Sequence, residues 1–362
     1  MMPQIYARNT HKYNRAVRIR MIFHLVSTTT LLVVAFVVTF DCFHPSSAMS
    51  LLGRKSTADQ VLRYLQQNDQ LAPYVTQRGT AVVTGGNSGI GVETVKVLVD
   101  GGMKVVLCAR NLESAKQVKE SLSTEKQSQV DIEHLDLSSL ASVKTAAENI
   151  SNKHPTIDCL VNNAGIMALP KREITVDGIE MQFGTNHVGH HYLTRLLLPR
   201  MSDHGRIVNV ASTAHQMAKS ALQEDWESKE NSYTAWGAYG NSKLSNILFT
   251  KQLQKELKKE NSSIEAVCLH PGVIASPLWK HTLPSLLRPI VYLFANKSVE
   301  QGAATTAYCA LSRRIENGAY YDDCSPAKPS TAADSDELQQ SLWKYTETVL
   351  AEKGCNLPSK LV

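Results

Sequence analysis

From residue 79 onward, short apolar, β-branched runs alternate with stretches whose apolar residues recur every three or four positions. The runs at 80–84, 104–109, 130–135, 157–162, 206–212, 264–270 and 319–322 read as strands. They are apolar almost throughout rather than at every second position, the pattern of strands covered on both faces. Strands of that kind separated by helices predict a single α/β domain, a Rossmann-type doubly wound parallel sheet with helices on both faces, over residues 79–330. Upstream, residues 49–78 are polar, with helical spacing between Ala58 and Gln67, and read as a linker carrying a docking helix. Downstream, residues 331–362 form a closing helix and tail, with Leu338, Leu342, Tyr345 and Leu350 at roughly helical spacing.

Residues 1–48 follow a different logic. Arg8, Lys12, Arg15, Arg18 and Arg20 precede an uncharged stretch, 21–40, with an apolar centre at 31–38 and the small residues Ser46, Ser47 and Ala48 beyond it. That order fits a secretory signal peptide or a retained membrane anchor, the basic flank staying on the cytosolic side. These five cations account for the whole formal net charge of +5. The remaining chain is balanced, so electrostatics give no support for nucleic-acid binding. The seven cysteines show no paired spacing and no Cys/His cluster, so no metal site is expected. Cys108, Cys159 and Cys268 lie inside strand-like runs and read as buried free thiols in a reducing environment.

The first strand runs directly into Gly85-Gly86-Asn87-Ser88-Gly89-Ile90-Gly91, and a helical stretch follows. Glycines permit the tight turn, close backbone approach to a pyrophosphate and helix–strand packing. The helix start then offers free N–H groups to the phosphates. Where the second strand ends, an NAD site wants an acid for the ribose hydroxyls; here Arg110 stands instead, which favours the 2′-phosphate of NADP.

Tyr239 and Lys243 are four residues apart at the start of a helical stretch, so they share a face. An ammonium near a phenol favours the phenolate and makes the tyrosine an acid or base for an alcohol–carbonyl pair. Ser212 closes a strand at the sheet edge where ligands bind, within reach of holding a carbonyl oxygen.

Thr84 to Gly91, Asn162-Asn163-Ala164-Gly165, Asn186, Ser212, Tyr239 with Lys243, and Pro271-Gly272 together resemble the short-chain dehydrogenase/reductase family, in that family's order and over residues 79–325. The resemblance implies a tetrad of Asn186, Ser212, Tyr239 and Lys243. Tyr239 would be the acid/base, Lys243 would also hold the nicotinamide ribose, Ser212 would position the carbonyl, and Asn186 would anchor a proton-relay water. It further implies that Asp136 and Leu137 contact adenine, that Asn163, Ala164 and Gly165 line the cofactor, and that Pro271, Gly272, Val273 and Ser276 meet the nicotinamide end. The wording from Gln182 to His190, from Ser242 to Leu248 and from Leu269 to Gly272 is similar to the branch of retinol dehydrogenases, the WW-domain-containing oxidoreductase and the chloroplast translocon-associated dehydrogenase.

After Gly272 the chain is rich in apolar residues (Leu278, Trp279, Leu283, Leu286, Leu287, Ile290, Leu293, Phe294), which suggests a lipophilic small-molecule substrate or contact with a membrane. The expectation is therefore an NADP(H)-dependent oxidoreductase interconverting an alcohol and a carbonyl, membrane-associated in the endoplasmic reticulum or a plastid, with an oligomer open. A membrane-associated NADPH-binding redox sensor or scaffold, and a light-dependent tetrapyrrole reductase, are the alternatives.

Overall fold

The computed structural model describes residues 52–218, 225–274 and 297–361. The leader at 1–48, Ser276 and the apolar stretch at 278–294 lie outside the described residues. The strands are β1 Thr80–Thr84, β2 Lys104–Ala109, β3 Val130–His134, β4 Ile157–Asn162, β5 Met201–Val210, β6 Glu265–Leu269, β7 Tyr320–Asp322 and β8 Ser325–Ala327. They form one sheet in the order β3-β2-β1-β4-β5-β6-β7-β8, parallel except for the final β7–β8 pair. The longer helices are α1 Ala58–Gln67, α2 Ile90–Asp100, α3 Leu112–Glu120, α4 Leu140–Lys153, α5 Gly189–Leu197, α6 Ala235–Lys259, α7 Ala304–Leu311 and α8 Asp336–Glu352. The sheet is the doubly wound parallel architecture expected from the sequence.

Strand residues alternate between two cores. Val82, Leu160, Ile207 and Cys268 pack with α4, α5, α6 and α8 on one face. Ala81, Val83, Val161, Val208 and Val267 pack with α1, α2, α3 and α7 on the other. This two-sided burial is why the strands read as continuous apolar runs. The chain order reverses between β1 and β4, so the loops after those strands part there and leave a crevice at the carboxyl edge.

The docking helix expected between Ala58 and Gln67 is α1, opened by a capping box between Thr57 and Gln60, and it buries Ala58, Val61, Leu62 and Leu65 at helical spacing within the second core. Two local features differ from the sequence reading. Strand β5 begins at Met201 and ends at Val210, so Ser212 lies beyond it as the cap of a 3-10 turn over Thr213–Met217. The added start is polar and pairs with β4 across an irregularity at Ile157/Cys159, which masks it from an apolar-run criterion. Strand β8 was not expected. Its hairpin turn uses Asp323 (φ 47) and Cys324 (φ 63), both left-handed without glycine, so the usual turn signature is missing.

Candidate active site

The glycine turn after β1 is fixed by contacts that leave no room for side chains. Gly85 has φ +65, and a Cβ there would lie 3.0 Å from Ala164 Cα. A Cβ on Gly91 would lie 2.2 Å from the Gly85 carbonyl oxygen. Gly89 (φ 53) precedes α2 and supplies no side-chain cap, so the helix start keeps donors for a ligand. Asn87 Nδ2 donates to Ser114 Oγ at 2.7 Å, tying the turn to α3. The Asn111 side chain caps α3 by accepting from Ser114 N at 3.1 Å. Arg110, between β2 and that cap, is exposed and enters no ion pair among the described residues. Ser88 is exposed in the turn and Ile90 half-buried.

The turn after β4 joins this one. Thr84 Oγ1 accepts from Asn163 N (2.9 Å) and Ala164 N (3.0 Å), and Asn163 Nδ2 donates to Thr84 O at 2.8 Å. Asn163 Oδ1 is buried without a partner. Asp136 Oδ1 accepts from Ser138 N and Oγ at 2.9 and 2.6 Å, which fixes the turn after β3. Leu137 is buried, and its carbonyl lies where a Cβ on Gly189 would come within 2.4 Å.

Tyr239 and Lys243 lie in the first turns of α6, capped by Thr234 accepting from Gly237 N. Both are at least 95% buried. Lys243 Nζ donates to the Val210 carbonyl at 2.9 Å and stands 5.8 Å from the centre of the Tyr239 ring. Trp236 packs edge-on to Tyr239 at 6.1 Å. Asn186 belongs to a π-helical turn, Gly184–Val188, at the head of α5. Such widened turns gather at functional sites. Its side chain accepts from Ile166 N (2.8 Å) and donates to Ile166 O and Ser242 Oγ (both 2.9 Å). Gly165 sits at the centre: a Cβ there would lie 3.2 Å from Asn186 Oδ1 and 3.5 Å from Lys243 Nζ.

The electrostatics of the pair differ from the sequence expectation. Burial pushes the Tyr239 phenol up to about 12, opposed by hydrogen bonding with Ser212. Burial also brings the Lys243 ammonium down to about 8. Desolvation thus outweighs the attraction that was expected to lower the phenol, because the ammonium points at the Val210 carbonyl.

Several residues of the site carried no sequence signal. His215 Nε2 accepts from Ser330 N at 2.9 Å, so its Nδ1 carries the proton and donates to Ser212 O at 2.6 Å. Burial holds it neutral, with a pKa of about 4. Gln182 Oε1 accepts from Ala168 N at 2.7 Å and supports that residue at φ 48. Beyond β6, Pro271, Gly272 and Val273 are braced by Lys297, whose Cδ lies 2.5 Å from where a Gly272 Cβ would be. Lys297 Nζ is 2.5 Å from Asp323 Oδ1, and Lys297 pairs with Ile274 in a parallel bridge. The spacing of three between Ser212 and His215 is the one local hint among these.

The glycine-cleared cradle, the uncapped start of α2 and the unpartnered Asn163 Oδ1 fit a dinucleotide in extended form across the crevice. The buried Tyr239 phenol beside Ser212 suits proton exchange with an oxygen at one end of it. Among the described residues no group of His, Cys, Asp and Glu could hold a metal.

Comparison with known proteins shows the family. The short chain dehydrogenase family matches residues 79–224. The chain is 37% identical over 279 residues to the short-chain dehydrogenase TIC 32 B, chloroplastic, of Brassica napus, covering 74% of this chain and 87% of that protein. It is 38% identical over 269 residues to human retinol dehydrogenase 11, covering 72% and 82%. A solved structure of a protein of uncharacterized function from Mycobacterium paratuberculosis superposes with a TM-score of 0.66 at 31% identity, over 84% of this chain and 99% of that one. A short chain dehydrogenase from Shigella flexneri complexed with NADP shares the fold at 22% identity and a TM-score of 0.53, over 68% and 97%. The fold is the Rossmann-type fold of this family of oxidoreductases, and the chain belongs to the short-chain dehydrogenase family.

Proposed function

We propose that this protein is an NADP(H)-dependent oxidoreductase that interconverts an alcohol and a carbonyl on a lipophilic substrate, with Tyr239 as the acid/base. The observation that carries the reading is a continuous chain of buried groups: Asn186 and Lys243 meet at Gly165, Lys243 Nζ stands 5.8 Å from the Tyr239 ring, and Tyr239 hydrogen-bonds with Ser212. A nicotinamide held at this end of the crevice would supply the hydride chemistry at the substrate carbon. Ser212 and the Tyr239 hydroxyl hold the substrate oxygen. With its pKa near 12, Tyr239 is protonated at neutral pH, the form that donates a proton as a carbonyl is reduced. Lys243, charged below about pH 8, stabilises the phenolate left behind and would donate to the nicotinamide ribose. Asn186 holds the water through which the proton is replaced.

Arg110, which enters no ion pair among the described residues, supports the preference for a 2′-phosphate. Gly85, Asn87, Ser88, Gly89, Ile90 and Gly91 would enclose the pyrophosphate, and Asp136 and Leu137 the adenine. Asn163, Ala164, Gly165 and Pro271 to Val273 would line the nicotinamide side, with Ser276. Residues 1–48, as a signal peptide or a retained anchor, would direct the enzyme to the endoplasmic reticulum or a plastid, at membranes where lipophilic substrates collect. Among the described residues no helix is long and apolar enough to cross a membrane.

Tyr239→Phe tests the reading. It should abolish NADPH oxidation with retinoid, steroid and aliphatic carbonyls while NADPH still binds; near-wild-type turnover would overturn the mechanism. A wild-type chain that binds NADPH but reduces no carbonyl would favour a redox sensor or scaffold instead.

A further inference from the structure

The first turn of α5 contains a buried histidine that the mechanism above does not use. His190 is 2% exposed. Its Nε2 lies 2.8 Å from Thr84 Oγ1, and its Nδ1 lies 3.0 Å from the main-chain oxygen of Asn186. A hydroxyl has two lone pairs and one proton. Both lone pairs of Thr84 Oγ1 are taken by Asn163 N and Ala164 N. Its proton therefore points to His190 Nε2, since the other candidate acceptor, Val161 O, is 3.5 Å away. Nε2 is then an acceptor, and Nδ1 carries the ring proton and donates to the Asn186 carbonyl. A second ring proton would have no acceptor at Thr84. Burial, which holds the imidazole near a pKa of about 4 with the nearby Lys243 acting in the same sense, agrees with this neutral form.

The ring thus spans two parts of the site that are far apart in sequence. On one side, Thr84 sets the Asn163–Ala164 turn against the glycine turn. On the other, the π-helical turn presents Asn186 toward Gly165 and Lys243. We propose that His190 is a positioning residue that locks the cofactor-facing turn after β4 to the Asn186 carbonyl, and so sets the spacing between bound cofactor and proton path. This rests on the functional reading above, which assigns those two parts to the cofactor and to proton replacement.

The two bonds can be separated by substitution. In His190→Asn the amide takes the place of Nδ1 and keeps a donor for Asn186, while Thr84 is out of reach. In His190→Gln the longer amide reaches Thr84 and leaves the Asn186 carbonyl without its donor. The full chain is titrated with NADPH by fluorescence, and kcat is measured with a lipophilic aldehyde such as nonanal. His190→Asn should weaken NADPH binding about tenfold and change kcat by less than about threefold, the scale of one lost hydrogen bond. His190→Gln should do the reverse. His190→Phe, lacking both bonds, should show both losses. Equal effects in the Asn and Gln variants, loss of folding in both, or a lowered Tm with unchanged Kd and kcat would overturn the proposal. If the wild-type chain binds NADPH but reduces no aldehyde, the functional reading fails, while the NADPH titrations still decide whether His190 governs the cofactor side.

Discussion

Burial sets the protonation of the reacting pair, and each residue meets it with the opposite sign: the Tyr239 phenol rises to about 12 and the Lys243 ammonium falls to about 8. The charge on Lys243 is then what titrates first as pH rises. Below about pH 8 the ammonium supports the negative charge that appears on Tyr239 when it gives up its proton; above it that support is withdrawn. Reductive kcat should therefore fall on the alkaline side with a midpoint near pH 8. Lys243→Met should lower kcat by about a hundredfold, comparable to loss of one preorganised electrostatic donor, and remove that alkaline limb. A pH–rate profile of wild type and variant checks both; an alkaline limb that persists in Lys243→Met would assign it to another group. The placement of Tyr239 and Lys243 on one helix was legible in the sequence because helical spacing is local, and Ser212 follows its strand by two residues. His190 and His215 were not, because their partners stand 106 and 115 residues away.

Elements were legible where their pattern is self-contained. The capping-box helix α1, the apolar parallel strands and the glycine turn all carry their signals within a few residues. The π-helical turn at Gly184–Val188 carries none: Asn186 is turned inward by bonds to Ile166 and Ser242 on other elements. The same holds for the β7–β8 hairpin, whose left-handed Asp323 is held by Lys297 from a distant segment. The glycine turn allows a sharp test. In Gly91→Ala the new Cβ would meet backbone, the Gly85 oxygen at 2.2 Å, which cannot swing aside as a side chain would. The turn must open, at a cost of about 1–3 kcal/mol, and lose its fit to the pyrophosphate. NADPH affinity should drop at least about a hundredfold, equivalent to about 2.7 kcal/mol. Gly53→Ala, where nothing lies within 4 Å, should leave it unchanged. Calorimetric titration of the two variants separates these outcomes, and full binding by Gly91→Ala would show that the turn is not the phosphate cradle.

At the scale of the whole molecule, each face of the sheet is completed by a helix from one end of the described chain, α1 on one and α8 on the other. Under α8 lie His187 and His191, both buried and held well below the ordinary histidine range by desolvation. His187 Nε2 meets Thr346 Oγ1 at 2.9 Å. His191 faces Phe249 and Trp343, and its Nε2 is 3.6 Å from Glu347 Oε1. That carboxylate does not hold a proton on His191, because Arg195 pairs with it and repels a charged imidazole. Together with His190 and His215, four buried histidines are neutral in the fold. In the unfolded chain each takes up a proton below about pH 6.5. Stability is thus fully present above about pH 6.5 and is lost as pH falls toward the depressed folded values, by up to about 1.4 kcal/mol per pH unit for each histidine. Tm should drop by about 10 °C between pH 7.5 and 5.5. The ring nitrogens of His191 make no hydrogen bond, so His191→Leu removes a buried polar group without orphaning a partner. That variant should match or exceed the wild-type Tm at pH 7.5 and lose about a quarter less stability on acidification. Thermal melts of both proteins across that range are the measurement, and an unchanged acid sensitivity in His191→Leu would place the acid-labile contacts away from the α8 interface.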